Sequence, residues 1–274
     1  MNKRENKGYR RDKSYESRDR FHKKAQEPTE ADECIVSGRN AVRELLAGGR
    51  DIEKIFVQSG DREGSINLII GMAAERKIQI REVDRRKLDE LSSGARHQGV
   101  VAVAAEHNYY TVDEILAYAE QKGEKPLILM LDGVEDPHNL GAIIRSAECL
   151  GAHGVIIPKR RAVGLTATVA KASAGAIEYM RVAKVTNLAQ TVEELKERGL
   201  WFYLADMGGA PYYEADMTSP AVIVLGSEGF GVSRLIKEKC DFTVSIPLMG
   251  SVNSMNVSCA ASVILAEAAK QRNK

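Results

Sequence analysis

The sequence predicts an α/β protein in two units, a small α/β domain followed by a larger one built on a mostly parallel sheet. Three observations predict it. Short unbroken apolar runs such as Leu127-Ile-Leu-Met-Leu131 and Val100-Val-Ala-Val-Ala104 have the composition of strands buried on both faces. These runs alternate with stretches of helical spacing, the pattern of crossover connections over a parallel sheet. The length, 274 residues, suits about two domains, each with its own core.

In chain order, a short strand at 35–36 leads into a helix near 40–46. A buried strand follows at 54–57, a helix at 66–76, a strand at 78–83, a helix at 85–91 and a closing strand at 100–104. Residues 34–106 thus form a small α/β domain. A polar connection, 107–125, carries one amphipathic helix at 112–119. Pro126 then opens the larger domain, 126–274, with strands at 127–131, 155–157, 201–205, 221–225 and 242–246. Its helices are expected near 141–150, 188–198, 234–239 and 258–271. No internal repeat is visible.

Composition narrows the function classes. Net charge is +1, so no global field marks a nucleic-acid binder, but residues 1–24 hold ten Lys or Arg against four Asp or Glu. With so little apolar surface to bury, residues 1–33 read as a disordered basic arm. Cys34, Cys149, Cys240 and Cys259 lie far apart without a metal-ligand pattern, which argues against a disulfide framework and against a metal site. No apolar run approaches the ~18 residues of a membrane span, and no signal-peptide core is present. The expectation is a cytoplasmic protein with no membrane and no metal.

Ligands of a parallel α/β sheet bind where strand ends meet the following loops, and three such loops stand out. The first, after 127–131, runs Asp132-Gly-Val-Glu-Asp-Pro-His-Asn139-Leu-Gly141-Ala-Ile-Ile-Arg145. Asn139 is placed to cap the next helix. Arg145 is read either as a surface partner of Glu148 or as a functional cation among apolar neighbours. The second is Gly226-Ser-Glu-Gly-Phe-Gly231, whose glycines permit close backbone approach. It is neither a dinucleotide fingerprint nor a phosphate loop. Ser233 would cap the following helix, and Glu228 is a carboxylate that a mere turn would not require. The third, Ile246-Pro-Leu-Met-Gly250-Ser-Val-Asn-Ser254-Met-Asn256-Val-Ser258, joins a strand to a helix of small residues. There Ser254 and Asn256 either cap that helix or serve a pocket made largely of main chain. His97 is a turn residue or an RNA contact, and Lys159-Arg160-Arg161 a solvated loop or a phosphate contact.

Taken together, the three loops resemble the motifs of the SpoU (TrmH-type) branch of the SPOUT methyltransferases. Asn139-x-Gly141-x-x-x-Arg145 is similar to the first motif, Leu225-Gly-Ser-Glu228-Gly-Phe-Gly231 to the second, and Ile246-Pro-Leu-x-Gly250 through Ser258 to the third. Leu248 stands where methionine is frequent and Met255 where leucine is frequent, swaps that keep volume and apolarity. The small domain, with Gly38-Arg39-Asn40 and His97-Gln98-Gly99, resembles the family's L30e-like substrate-binding domain. The arrangement looks closest to enzymes that methylate a guanosine ribose in 23S ribosomal RNA.

The resemblance implies a carboxyl-terminal trefoil knot, a homodimer with sites assembled at the subunit interface, and S-adenosylmethionine as cofactor. It implies cofactor contacts at Gly226, Ile246 and Met255. It gives Arg145 the central catalytic role, with Asn139, Glu228, Ser254 and Asn256 around it. A transfer-RNA methyltransferase of the same family and a non-catalytic ribosome-assembly factor are the competing readings. A nicotinamide oxidoreductase lacks both its glycine fingerprint and its acidic ribose partner.

Overall fold

A computed structural model describes residues 34–60, 64–105 and 107–273. The basic arm expected at 1–33 lies outside these residues.

The first sheet has four strands, β1 (Cys34–Ser37), β2 (Ile52–Gln58), β3 (Gln79–Val83) and β4 (Val100–Ala104), in the order β1-β4-β2-β3. β2 and β3 are parallel, and β4 is antiparallel to both of its neighbours. Helices α1 (Arg39–Ala47) and α2 (Ser65–Glu75) pack Leu45, Ile66 and Ile69 on one face. α3 (Arg85–Leu91) packs Leu88 against Phe56 and Val101 on the other. Every residue of β4 is buried, as its apolar run requires of a central strand. The two short motifs of this domain meet. The Arg39 N–H donates to Gln98 Oε1 at 3.1 Å, and the Arg39 guanidinium donates to the Gln98 carbonyl at 2.9 Å. His97 proves to be a buried turn residue. Its Nδ1 accepts the Gly99 N–H at 3.0 Å, and its Nε2 lies 3.0 Å from Asp89.

The second sheet has six parallel strands: β5 (Leu127–Asp132), β6 (Gly154–Pro158), β7 (Val182–Val185), β8 (Trp201–Pro211), β9 (Ala221–Gly226) and β10 (Phe242–Ser245). Their order is β10-β8-β9-β5-β6-β7. Apolar clusters cover both faces. Leu129, Ile143, Ile223 and Leu265 belong to one, and Ile128, Val192, Phe202 and Val224 to the other. Truncating such a fully buried Leu or Ile to Ala costs about 2–5 kcal/mol. α5 (Pro137–Cys149) and α9 (Val257–Arg272) cover the first face, and α7 (Leu188–Glu197) the second. α4 (Val112–Gln121), closed at its start by a Thr111–Glu114 capping box, buries Ile115 in the second cluster.

β7 and the short α6 (Ala167–Ala172) were not expected from the sequence, nor were the single 3₁₀ turns at Ala176–Glu178 and Tyr212–Glu214. α8 (Arg234–Lys237) is shorter than expected, and β8 runs on to Pro211. The extension of β8 lies tight against β10. A Cβ on Gly209 would sit 2.3 Å from the Thr243 carbonyl oxygen.

β5 and β9 are the central pair. From β5 the chain winds outward to β6 and β7, then crosses to β8 and β9 on the other side. This reversal puts the loops after β5 and β9 side by side at the carboxyl edge, where open α/β sheets form their ligand crevice.

Candidate active site

The loop after β9 is shaped by its glycines. Ser227 and Gly231 exchange backbone hydrogen bonds, Ser227 N–H to the Gly231 carbonyl at 3.2 Å and Gly231 N–H to that of Ser227 at 2.9 Å. A Cβ on Gly226 would sit 2.0 Å from the Gly231 carbonyl carbon, so only glycine lets the loop fold back. Ser233 occupies the cap position of α8 without a side-chain cap bond. Its N–H instead donates to Asp132 Oδ2 at 2.8 Å, tying this loop to the end of β5.

The loop after β5 corrects one expectation. Asp136, not Asn139, caps α5: its carboxylate accepts the His138 N–H at 2.9 Å, and Pro137 fills the first helical position. Asn139 therefore lies inside the first turn, buried, with its amide free for long-range partners. It donates to Glu228 Oε1 at 3.0 Å. Asn256 donates to that same oxygen at 2.7 Å and to Asn139 Oδ1 at 2.9 Å. The other side of the Asn256 amide caps α9, with Oδ1 accepting from the N–H groups of Ser258 and Cys259. Capping α9 and holding Glu228 are compatible, because one amide serves both. Three loops far apart in sequence converge on a single carboxylate, by bonds of the stronger, charge-assisted kind.

Beside this knot of polar groups lies a cleft of about 810 Å³. Gly226, Glu228, Ile246, Ser254, Met255 and Asn256 all line it. Ala260 and Ile264 of α9 add an apolar wall. Sequence reasoning missed Asp206 and Lys237, an ion pair on the same wall. No local pattern pairs the middle of one strand with a later short helix.

Arg145 is placed apart. Six residues on from Asn139, it lies about 120° round the helix from it. It is exposed and does not line the cleft. Among the described residues it makes no hydrogen bond and no ion pair, so of its two readings the pairing with Glu148 does not form.

Backbone-lined space beside Gly226, an apolar wall and polar groups at one end suit a nucleoside-type ligand with a charged tail. Among the described residues no group of three or more His, Cys, Asp or Glu could hold a metal ion, and no helix is long and apolar enough to cross a membrane.

Fold and site together define an α/β protein with a small-molecule cleft at its carboxyl edge. Residues 126–266 match the model of the SpoU rRNA Methylase family, and residues 35–110 match that of the RNA 2′-O ribose methyltransferase substrate-binding domain. The Bacillus subtilis (strain 168) protein YacO, assigned to the TrmH family of tRNA/rRNA methyltransferases, is 48% identical over 87% of this chain and 96% of its own. The SpoU methyltransferase AviRb of Streptomyces viridochromogenes, solved with AdoMet, superposes with a TM-score of 0.73. It is 25% identical over 88% of this chain and 91% of its own. An RNA 2′-O ribose methyltransferase structure gives 0.75, 25%, 89% and 90%. The A. aeolicus TrmH/SpoU tRNA modifying enzyme covers 59% of this chain and 83% of its own, at 30% identity and a TM-score of 0.50.

The chain belongs to the SpoU methyltransferase family. It is an RNA 2′-O-ribose methyltransferase whose cofactor is S-adenosylmethionine.

Proposed function

We propose that this enzyme methylates the 2′-hydroxyl of a guanosine ribose in 23S ribosomal RNA. The observation that carries the reading is the Glu228 carboxylate, held by the Asn139 and Asn256 amides at the edge of the cleft. Ribosomal rather than transfer RNA is favoured by the second domain. Residues 35–110 match a separate substrate-binding domain, and the A. aeolicus tRNA modifying enzyme aligns with 59% of the chain. In this reading residues 34–106 choose the RNA site, 107–125 connect, and 126–274 form the methyltransferase domain, its carboxyl-terminal segment threaded as a trefoil knot.

Gly226, Ile246 and Met255 would hold the cofactor through backbone and apolar surface. When bound, S-adenosylmethionine supplies a methyl group on a positively charged sulfur, so no covalent enzyme intermediate is required. The protein's task is to hold the ribose oxygen in line and stabilise the charge that develops as it loses its proton. Arg145 suits that task as a permanent cation that clamps phosphate and ribose through forked hydrogen bonds. Glu228, with Asn139, Asn256 and Ser254, orients the substrate and the loops around it. Because Arg145 stands outside the cleft of its own chain, the complete site is assigned to a homodimer in which each copy lends this arginine to its partner's cleft. The exposed apolar rim, with Phe230 and Met249 each 94% exposed, supports a surface that another copy covers. The cytoplasm is the compartment assigned.

The test is methylation of transcribed 23S ribosomal RNA fragments and of transfer RNA with labelled cofactor, followed by mapping. Label at one guanosine 2′-oxygen of 23S RNA is expected. Label confined to transfer RNA would redirect the substrate, and RNA binding without any label would make the protein an assembly factor.

A further inference from the structure

Lys159, Arg160 and Arg161 follow the end of β6, one strand from the centre of the sheet. All three are exposed, and among the described residues none is ion-paired with a carboxylate. Three adjacent cations repel one another, and a surface loop with no binding task usually mixes in the opposite charge.

The loop is fixed rather than loose. The Lys159 N–H donates to the Val185 carbonyl at 2.8 Å, the Val163 N–H to the Val134 carbonyl at 3.1 Å, and the Leu165 N–H to the Tyr109 hydroxyl at 2.8 Å. Between these ties Arg161 adopts a left-handed backbone, φ 57°. Few residues other than glycine do so, and a bulky side chain held there is a reason to suspect a binding role. Position adds to the case. A Cβ on Gly133 would lie 3.4 Å from Ser227 Cβ and 3.8 Å from the Arg161 carbonyl oxygen. The basic loop therefore borders the turn that carries Glu228. On its far side the Lys184 ammonium stands 4.7 Å from the centre of the half-exposed Tyr109 ring, in the stretch joining the two domains.

We propose that Lys159, Arg160 and Arg161, with Lys184 and Tyr109, form a phosphate track. It holds the RNA strand between the substrate-binding domain and the cleft, and it rests on the RNA-methylating reading above. Cations at a strand end with no protein partner fit the evenly spaced charges of a sugar–phosphate backbone, and an exposed ring offers a stacking face to any base. The track is blind to sequence. It sets the register of the strand rather than selecting the nucleotide.

The test measures binding of a transcribed 23S ribosomal RNA fragment across a potassium chloride series, with S-adenosylmethionine uptake measured in parallel. The triple variant Lys159→Gln, Arg160→Gln, Arg161→Asn uses asparagine because it tolerates the left-handed backbone. Its plot of log affinity against log salt is expected to be shallower by about two, from roughly 0.7 per lost phosphate contact. Cofactor uptake should be unchanged. Arg160→Glu, at an exposed position without a hydrogen bond among the described residues, is expected to weaken RNA binding at low salt about tenfold. If the wild type binds RNA while both variants keep its slope and affinity, the track is wrong and the methyltransferase reading stands. If the wild type takes up cofactor yet binds neither ribosomal nor transfer RNA, that reading fails and the track falls with it. A triple variant that loses cofactor uptake has misfolded, and Arg160→Glu then decides alone.

Discussion

Arg50 Nη2 lies 3.5 Å from Glu178 Oε1, joining the small domain to the turn before β7, with side chains only 10% and 5% exposed. Nothing else satisfies the guanidinium: none of its three nitrogens has a hydrogen-bond partner among the described residues. The approach is close because both domains present glycine. A Cβ on Gly48 would lie 2.7 Å from Glu178 Cβ, and one on Gly175 would lie 2.4 Å from Glu44 Cβ. Removing one member of a buried pair strands the other charge. Glu178→Ala is therefore expected to destabilise the protein by about 3–5 kcal/mol, whereas Arg50→Met with Glu178→Leu should recover most of that loss. Urea denaturation of the three proteins at neutral pH checks it. A double variant no better than the single one would show that the pair stabilises beyond avoiding a stranded charge.

His107 shares the same pocket, with Nε2 at 3.7 Å from Glu178 Oε1. Burial first, and the nearby Arg50 charge second, push its pKa down to about 3 from 6.5. Between those values the unfolded chain binds a proton that the folded protein refuses, so this histidine makes stability fall as pH drops below about 6.5. Glu178, raised by burial, works in the opposite sense, favouring the folded state as pH falls through its raised value toward the ordinary carboxylate range. His107→Gln should remove the histidine's share. The variant's stability is expected to decline less steeply from pH 6.5 to 4.5, by up to about 1.4 kcal/mol per pH unit for one proton. Parallel curves for variant and wild type would exclude His107 as the linked group.

How much of this was legible in the sequence depended on the range of each signal. The buried strands of the large sheet announced themselves because unbroken runs such as Leu127–Asp132 have no other common explanation. β7, Val-Ala-Lys-Val, escaped because a polar residue breaks a run of four, and α6 because six residues make fewer than two turns. The start of α5 was misplaced by reading Asn139 as the cap when Asp136 followed by Pro137 was the better signal. Gly226, Ile246 and Met255, which line the cleft, were singled out through a family pattern. Asp206 with Lys237, and Arg50 with Glu178, belong to no local pattern and exist only once the chain has folded.

Gly226 offers a test of shape alone. Its φ is not left-handed, so a side chain would be excluded by space and not by backbone conformation. The obstacle is the main chain at Gly231 and Val232, which cannot rotate away as a side-chain tip would. Gly226→Ala should open the turn, cost about 1–3 kcal/mol of stability as overpacking does, and weaken S-adenosylmethionine binding at least tenfold. Calorimetry beside thermal unfolding would separate the two effects. Full cofactor affinity in a folded variant would mean that this turn does not form part of the donor site.

The separation of Arg145 from Glu228 within one chain yields the most discriminating prediction. Arg145→Ala should abolish methylation with cofactor affinity nearly intact, because this side chain does not line the cleft. Glu228→Ala should also be nearly inactive, having lost the carboxylate that Asn139 and Asn256 hold. If each site takes its arginine from the other copy, unfolding and refolding the two dead variants together restores function. Half of the random dimers are then mixed, and each mixed dimer carries one intact site, giving about a quarter of wild-type activity. Were both residues to act within one chain, every site in the mixture would lack one of them and no activity would return. Recovery near a quarter would place Arg145 in its partner's cleft. A dead mixture from two variants that fold and form dimers would return it to its own.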